Sequence, residues 1–422
     1  MHHMVVLQSK AMAKIKSWKG FVFDRWRTIV AFLMWYWSFF IKGVTLNELK
    51  DTPVIIYTML TNNVNEMKTR NHTNYVWPGG RPIDFSFGET DEDWQQLIRQ
   101  GLHQWKEETC IEFNENPNAT DRLEFIRGRG CYSRLGQVGG AQPISIGKGC
   151  EDVGTVLHEI GHALGLDHEH QRLDRDDYIQ VNTKNNACSM RDLNKVNLIN
   201  EIALPFDLGS IMHYDSFACS IIPIYKTITT HDPRYQHTIG QDRSLSFLDV
   251  KRINLFYCED TCADTKIQCF NGGYPNPRAC NQCKCPSGLG GPSCLNVEET
   301  EGCGGELEAT NQWQSLTFNE RRRCVWRVSA QRNSRVRLIL EEAKYRCDEA
   351  CTSFVEIKHT SDFQTTGFRS CCGEHAVETI SDGNQVLIIH DARELNRNGV
   401  FSLRFIQAHN STAETSTCAF NN

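Results

Sequence analysis

Apolar residues recur every three or four positions between residues 91 and 109, and they alternate with polar residues in two shorter stretches. The first spacing places apolar side chains on one face of a helix, so residues 91–109 are predicted to be helical. Its predicted core residues are Trp94, Leu97, Leu102 and Trp105. Alternation with a period of two predicts strands at residues 83–87 and 123–126.

A second helix is predicted over residues 154–165, and it carries two histidines. His158 and His162 lie four positions apart, which puts both imidazoles on one helical face, where they can grip one Zn²⁺. Gly165 can leave the helix with a positive φ and bring His168 back as a third ligand. Three protein ligands leave the fourth position open, which is typical of a catalytic zinc site.

Glu159 follows the first of these histidines, where its carboxylate can accept a proton from water rather than bind the metal. A second motif, Ser210–Tyr214 (SIMHY), begins about 40 residues after the histidines, where a Met-turn is expected. A polar helix with scattered histidines is the alternative. The presence of both motifs favours the metal site.

The sequence HEIGHALGLDHE at residues 158–169, followed by SIMHY, resembles the astacin family of metzincin metalloendopeptidases over residues 77–258. The resemblance implies one zinc ion per subunit and a Met212 that packs beneath the ligands. It also implies that Tyr214 binds zinc in the free enzyme and donates a hydrogen bond to the developing oxyanion during catalysis. A buried core tyrosine is the alternative interpretation of Tyr214.

The resemblance further implies that Glu169 meets the mature N-terminus after a propeptide is removed. A cut after Arg70 would create that N-terminus, within a broader expected region of residues 65–76. The alternative is that Arg172 or Arg175 pairs with Glu169, because a buried carboxylate needs a cation or a hydrogen-bond donor.

The first 42 residues (1–42) contain a basic leader and an apolar run at residues 28–41. As a helix this run spans about 21 Å, which is less than the ~30 Å core of a bilayer. A signal peptide is therefore predicted, and a type II membrane anchor that places the protease outside is the alternative. Residues 43–70 are predicted to be a short propeptide without an aspartate switch.

The peptidase domain is predicted to span residues 71–258 and to belong to the α+β class. A twisted sheet and two helices form its upper half, while the lower half, after Gly165, is mostly irregular. Residues 139–146 resemble the family's edge strand, whose backbone pairs with an extended peptide substrate.

Nineteen cysteines indicate an oxidising compartment, and their odd number leaves at least one without an intrachain partner. The astacin resemblance implies the disulfides Cys110–Cys258 and Cys131–Cys150. The two cysteines left over in this domain most simply form a third bridge, Cys188–Cys219. Acceptor sequons for N-glycosylation begin at Asn71, Asn118 and Asn410.

Six cysteines within residues 259–295 resemble an EGF-like module, for which we expect the bridge Cys285–Cys294; a zinc knuckle is the less favoured alternative. Residues 303–408 contain several strand-like runs and resemble a CUB β-sandwich with the bridge Cys303–Cys324. Residues 409–422 form a polar tail with Cys418, which we expect to be a free thiol or to link two chains.

The net charge of the chain is −6 over 422 residues, which argues against a protein that binds nucleic acids. The predicted function is that of a secreted zinc endopeptidase that acts on extracellular proteins and peptides. The EGF-like and CUB modules are expected to bind other proteins. The alternatives are another metzincin branch and an extracellular CUB/EGF-like binding protein with an inactive protease domain. Inactivity would require the loss of a ligand or of the base, and all of them are present.

Overall fold

The computed structural model describes residues 76–188, 190–196, 204–222, 224–373 and 376–409. The expected membrane-targeting run at residues 28–41, two of the sequons (Asn71 and Asn410) and Cys418 lie outside these ranges, so the expectations for them remain predictions. Within the described ranges, no helix combines the length and apolar character needed to cross a bilayer.

A five-stranded sheet forms the upper half of the peptidase domain. Its strands are β1 (Ile83–Phe87), β2 (Phe113–Glu115), β3 (Arg122–Ile126), β4 (Cys131–Tyr132) and β5 (Ala141–Ile146). The order across the sheet is β2–β1–β3–β5–β4, and only β4 runs antiparallel to its neighbour. Both predicted strands are present in this sheet as β1 and β3.

The resemblance implied that residues 139–146 form an edge strand, but β5 is the second strand from the edge. Strand β4 covers its C-terminal end, where Cys131 pairs with Ile146 and Tyr132 pairs with Ser145. The disulfide from Cys131 to Cys150 ties β4 to the chain just after β5. Among the described strands, residues 141–144 have no partner on the β4 side, so this part of β5 is open for pairing.

Two helices, α1 (Glu92–Glu108) and α2 (Val153–Ala163), pack with this sheet. Helix α1 begins where the Asp91 carboxylate accepts a hydrogen bond from the Trp94 amide at 3.1 Å. Three of its four predicted core residues are buried, whereas Leu97 is only partly buried. The two helices match the prediction of an upper half built from a sheet and two helices.

Two tryptophan side chains and one glycine fix α2 in the core. Nε1 of Trp105 donates to a backbone carbonyl of α2 at 3.0 Å, and Nε1 of Trp77 donates to another at 2.9 Å. Gly101 of α1 lies so close to α2 that a Cβ at this position would be 2.4 Å from Val156 Cγ1. The helix that carries two of the predicted zinc ligands is therefore held by packing on several sides.

The lower half is mostly irregular, as predicted, and contains the short elements β6 (Ile179–Val181), α3 (Met190–Leu193) and β7 (Ile228–Thr230). A longer helix, α4 (Phe247–Tyr257), is not among the predicted elements. Its sequence signal is a capping box in which Ser246 and Asp249 satisfy each other's backbone amides. The helix returns to the upper core, where Ile253 is buried.

A small disulfide-rich module follows the peptidase domain. Its strands are β8 (Tyr274–Asn276), β9 (Ala279–Lys284), β10 (Leu289–Gly290) and β11 (Asn296–Val297). They form two two-stranded sheets, β8–β9 and β10–β11. The six cysteines pair first with third, second with fourth and fifth with sixth, and the last of these bridges joins Cys285 to Cys294.

The C-terminal domain is a sandwich of a five-stranded and a four-stranded sheet around one apolar core. The strands of the first sheet are, in spatial order, β12 (Gly305–Glu308), β14 (Arg323–Ser329), β19 (Gln385–Asp391), β16 (Phe354–Lys358) and β17 (Phe368–Ser370). Those of the second are β13 (Gln314–Glu320), β20 (Gly399–His409), β15 (Ser334–Lys344) and β18 (Val377–Ile380). The α+β class with a C-terminal β-sandwich is confirmed.

Nine disulfides connect the cysteines of the described residues, and all five bridges expected from the sequence are among them. The sandwich contains two further bridges that were not predicted from the sequence, Cys347–Cys372 and Cys351–Cys371.

Replacing Cys110 and Cys258 by serine should destabilise the peptidase domain more than replacing Cys131 and Cys150. The first bridge closes a separation of 148 residues and the second closes one of 19. The loop entropy of the unfolded chain then gives losses of about 5 and about 3 kcal/mol. Urea unfolding followed by tryptophan fluorescence measures both losses, and equal losses would contradict the entropic explanation.

Candidate metal centre

Three histidine side chains meet at one point below the sheet, as the sequence motif predicts. His158 and His162 project from successive turns of α2, and Gly165 reverses the chain with φ of 99°. The reversal brings His168 back, so that its Nε2 lies 3.3 Å from Nε2 of His158 and 3.2 Å from Nε2 of His162. These three residues are the one group of histidine, cysteine and acidic side chains in the described ranges that could hold a metal ion.

The outward-facing nitrogen of each ring is held by an oxygen. Nδ1 of His158 donates to the Ile211 carbonyl at 2.8 Å, and Nδ1 of His162 donates to the Leu166 carbonyl at 2.7 Å. Nδ1 of His168 donates to the side-chain oxygen of Gln171 at 3.2 Å. Because each Nδ1 carries the proton, each Nε2 presents a lone pair to the shared centre.

This donor set fits a zinc ion. The pKa values of all three imidazoles are lowered, mainly because burial disfavours their charged form. The three rings are therefore neutral near pH 7. Three converging lone pairs repel one another unless a cation lies between them. Their separations of 3.2 and 3.3 Å match the roughly 3.3 Å expected between tetrahedral ligands with Zn–N bonds of about 2.0 Å.

Glu159 is buried beside the first histidine and is 5% exposed. Its Oε2 has no hydrogen-bond partner among the residues that the structure describes. Burial raises the pKa of Glu159 to about 8. A buried carboxyl group with a free oxygen is costly in a purely structural role, so its position favours a role in proton transfer.

The Ser210–Tyr214 turn supports the histidines from below. Met212 is fully buried, and its sulfur lies against Gly161 of α2, where a Cβ would be 3.0 Å from Sδ. The Met212 carbonyl accepts a hydrogen bond from the Glu169 amide at 2.9 Å, next to the third histidine. The turn therefore positions the histidines through backbone groups and packing, as well as through the Ile211 carbonyl.

Comparison with protein-family models matches residues 69–258 to astacin (peptidase family M12A) and residues 303–405 to the CUB domain. The zinc metalloproteinase nas-30 of Caenorhabditis elegans is 44% identical over 340 residues, which cover 79% of this chain and 45% of that protein. The zinc metalloproteinase nas-26 of Caenorhabditis elegans is 39% identical over 347 residues, which cover 78% of this chain and 83% of that protein. The chain belongs to the astacin family.

The chain spans about half the length of several curated astacin relatives, such as 45% of nas-30 and 51% of nas-36 of Haemonchus contortus. Among solved structures, it is similar to high choriolytic enzyme 1, a hatching enzyme zinc-protease from Oryzias latipes (Medaka fish). That likeness has 34% identity and a TM-score of 0.41, and it covers 43% of this chain and 94% of the other. The predicted astacin and CUB resemblances are confirmed, and the EGF-like interpretation of residues 259–295 stays a prediction.

Tyr214 lies next to the third astacin zinc-motif histidine. Its ring centroid is 4.6 Å from that of His168 and 3.9 Å from that of His170, on which it stacks. Burial raises the pKa of the Tyr214 phenol, and the nearby charges of Asp192 and Glu159 raise it further. His170 is absent from the predicted site, and its only sequence signal is its position two residues after His168.

Glu169, whose partner in astacins is the mature N-terminus, is 1% exposed and surrounded by donors. Its Oε1 accepts from the Asp207 amide at 2.9 Å and from Arg172 Nη1 at 3.3 Å, and its Oε2 accepts from Arg252 Nη1 at 3.1 Å. The alternative of a pair with Arg172 is therefore present, while Arg175 donates to backbone carbonyls instead. Residues 71–75 lie outside the described residues.

Asp249 is a further site residue that the sequence motifs do not identify. From the first turn of α4 its carboxylate accepts hydrogen bonds from the Ser210 hydroxyl at 2.6 Å and from the Ile211 amide at 2.9 Å. It therefore fixes Ile211, the residue whose carbonyl accepts a hydrogen bond from His158. The capping-box pattern could have located Asp249 at a helix start, but not its contact with a turn 38 residues earlier.

Changing Asp249 to asparagine should remove a pH dependence of stability. Burial, assisted by the charge of Asp207, raises the pKa of Asp249 to about 6. An acid with a higher pKa in the folded state binds more protons when folded, so wild-type stability should rise as pH falls through 6. Relative to the variant, the wild type should gain about 1 kcal/mol between pH ~7 and pH ~5. Urea unfolding at each pH measures this gain, and the exposed Asp260→Asn should behave like the wild type.

Proposed function

We propose that the chain is a secreted zinc endopeptidase that hydrolyses peptide bonds of extracellular proteins. The observation that carries the proposal is the convergence of three neutral imidazoles next to the partly unpartnered carboxyl group of Glu159. The similarity to zinc metalloproteinases supports zinc as the metal, with one ion per chain at His158, His162 and His168.

Glu159 is the proton carrier of the proposed reaction. A zinc ion at the three histidines would supply Lewis acidity and an activated water. Glu159 accepts a proton from the attacking water on its free Oε2 and returns it to the leaving amine.

Two further parts of the site act on the substrate. The Tyr214 hydroxyl donates a hydrogen bond to the oxyanion as it develops, and one such donor contributes about 10²–10³ in kcat. Residues 141–144 of β5 pair with the extended peptide, because that side of the strand is open. Met212 supports the histidines by packing and does not touch the substrate.

Export from the cell is supported by the nine disulfides of the described residues, since such bridges persist in oxidising compartments. The sequon residue Asn118 is exposed in a turn, where a glycan can be attached. We propose that residues 28–41 direct export, that the propeptide is removed within residues 65–76, and that Cys418 stays free or links two chains. The EGF-like and CUB modules are proposed to bind other proteins.

Changing Glu159 to glutamine should leave the chain folded and zinc-loaded but lower kcat by about 10²–10⁴. Glutamine keeps the shape of the side chain and cannot accept the proton. Cleavage of a denatured protein, with zinc content measured by atomic emission, separates proton transfer from metal loss. The exposed Glu107→Gln is the matched control. A zinc-loaded wild type that cleaves no protein would instead support the alternative of a binding protein with an inactive protease domain.

Removal of the metal with 1,10-phenanthroline should abolish cleavage, and added zinc should restore it. Because burial lowers the pKa of the three imidazoles, zinc should stay bound until the pH falls below their ordinary value of about 6.5. The non-chelating isomer 1,7-phenanthroline controls for binding of the aromatic rings. Full activity in excess chelator would refute the metallopeptidase proposal.

A further inference from the structure

The CUB domain contacts the peptidase domain on both sides of the Met-turn, Ser210–Tyr214. On the N-terminal side the contact is made by Asp207 and Gly209, and on the C-terminal side by residues 226–238. The first segment leads directly into the turn that supports the histidines, and the second begins 12 residues after the turn ends. The contacts with the CUB domain therefore act on the Met-turn, which lies beneath the three histidines.

The first connection passes through Asp207, which is 1% exposed. Its Oδ1 accepts a hydrogen bond from the Thr366 amide of the CUB domain at 3.0 Å. Its own amide donates to Glu169, the residue that follows the third zinc-motif histidine. The buried Lys358 ammonium of the CUB domain adds a favourable charge interaction with Asp207. One residue thus links the CUB backbone to the environment of His168.

Gly209 makes the closest approach in this connection. A Cβ built on Gly209 would lie 2.4 to 2.5 Å from Oγ1, Cβ and Cγ2 of Thr366, which are the three nearest atoms. The Gly209 backbone therefore lies against the Thr366 side chain at a distance that only glycine permits. An alanine at this position would collide with the CUB domain.

The second connection passes through residues 234–238. The Thr238 hydroxyl accepts a hydrogen bond from the Arg369 amide at 2.9 Å, and the His237 carbonyl accepts one from the Cys351 amide at 2.9 Å. On its other side this segment reaches the chain just after Tyr214, because Gln236 Nε2 donates to the Ser216 hydroxyl at 2.8 Å.

The second connection also includes ring packing and further polar contacts. The Tyr235 ring packs on Phe368 of the CUB domain at a centroid distance of 6.0 Å and joins the apolar core of the sandwich. A bond between Arg234 Nη1 and the Thr379 hydroxyl, at 2.6 Å, and an ion pair between Lys226 and Glu349, at 3.1 Å, extend the contact. The interface is therefore continuous with the interior of the CUB domain.

We propose that the CUB domain is a positioning element of the metal centre, and that Thr366 acts on it through Asp207 as a positioning residue. The CUB domain holds the segment that leads into the Met-turn and the later segment that is hydrogen-bonded to Ser216, and so fixes the Ile211 carbonyl, Glu169 and Tyr214 around the metal centre. This inference rests on the proposed peptidase function. It assigns the face of the CUB domain around Thr366 to the chain's own protease, leaving the remaining surface for other proteins.

The test is Gly209→Ala in the full chain, with Gly209→Ala/Thr366→Gly as the rescue and Gly383→Ala as the control. Thr366→Gly removes the atoms that collide with the new methyl group and keeps the backbone amide that binds Asp207. Gly383 is a CUB glycine whose Cβ would meet nothing within 4 Å. Measured quantities are kcat and KM on a peptide, the rate of zinc loss to a chelator, and hydrogen exchange of residues 205–216.

For Gly209→Ala we expect kcat to fall by about tenfold to a hundredfold, with KM changed less than about threefold. Zinc loss and hydrogen exchange of residues 205–216 should both become faster. The double variant should recover kcat to within about threefold of the wild type, and Gly383→Ala should match the wild type. The inference would be overturned if Gly209→Ala were as active as an active wild type. It would also be overturned if Gly209→Ala lost kcat and the added Thr366→Gly did not restore it.

If Gly209→Ala is not recovered as folded protein, Thr238→Val tests the second connection. It keeps the side-chain shape and leaves the partly buried Arg369 amide without its acceptor. We expect kcat to fall by about threefold or more, with faster exchange in residues 205–216; unchanged kcat and exchange would overturn the inference. A wild type that cleaves no substrate refutes the proposed function, whereas these comparisons within an active wild type address the CUB domain alone.

Discussion

The convergence of three imidazole lone pairs on one point is the constraint on which the rest of the structure depends. Each lone pair faces inward because the opposite nitrogen donates its proton to an oxygen. Those oxygens come from three different places: the Met-turn, the loop after α2, and Gln171. The fold must therefore position these oxygen acceptors as accurately as it positions the histidines. A tautomer change at any ring would replace the inward lone pair of Nε2 by an N–H group, which cannot bind a metal ion.

The metal-binding motif could be predicted from the sequence because its geometry is local. Two ligands share a helical face, and Gly165 reverses the chain within ten residues of the first. The contacts that could not be predicted are long-range. Asp249 reaches the Met-turn across 38 residues, and Arg252 reaches Glu169 across 83. Spacing along the chain carries no information about such contacts, because the intervening segments decide which side chains meet.

The same distinction between local and long-range contacts explains which elements of the fold could be predicted from the sequence. Strands β1 and β3, helix α1 and the sandwich strands have clear periodicity, which depends only on neighbouring residues. The position of β5 inside the sheet depends instead on the two-residue strand β4, which is too short to have a period. Helix α4 has a mixed apolar and polar sequence because its buried faces meet both the upper core and the polar network around Glu169.

The bridge between Cys110 and Cys258 joins the end of α1 to the end of α4, and so closes residues 110–258 of the peptidase domain into a covalent ring. Most of the irregular segments of the lower half lie inside that ring. A single backbone cut in any of them leaves one covalently connected molecule rather than two fragments. Cleavage by a protease would therefore escape detection by size under non-reducing conditions and would become visible only after the disulfides are reduced.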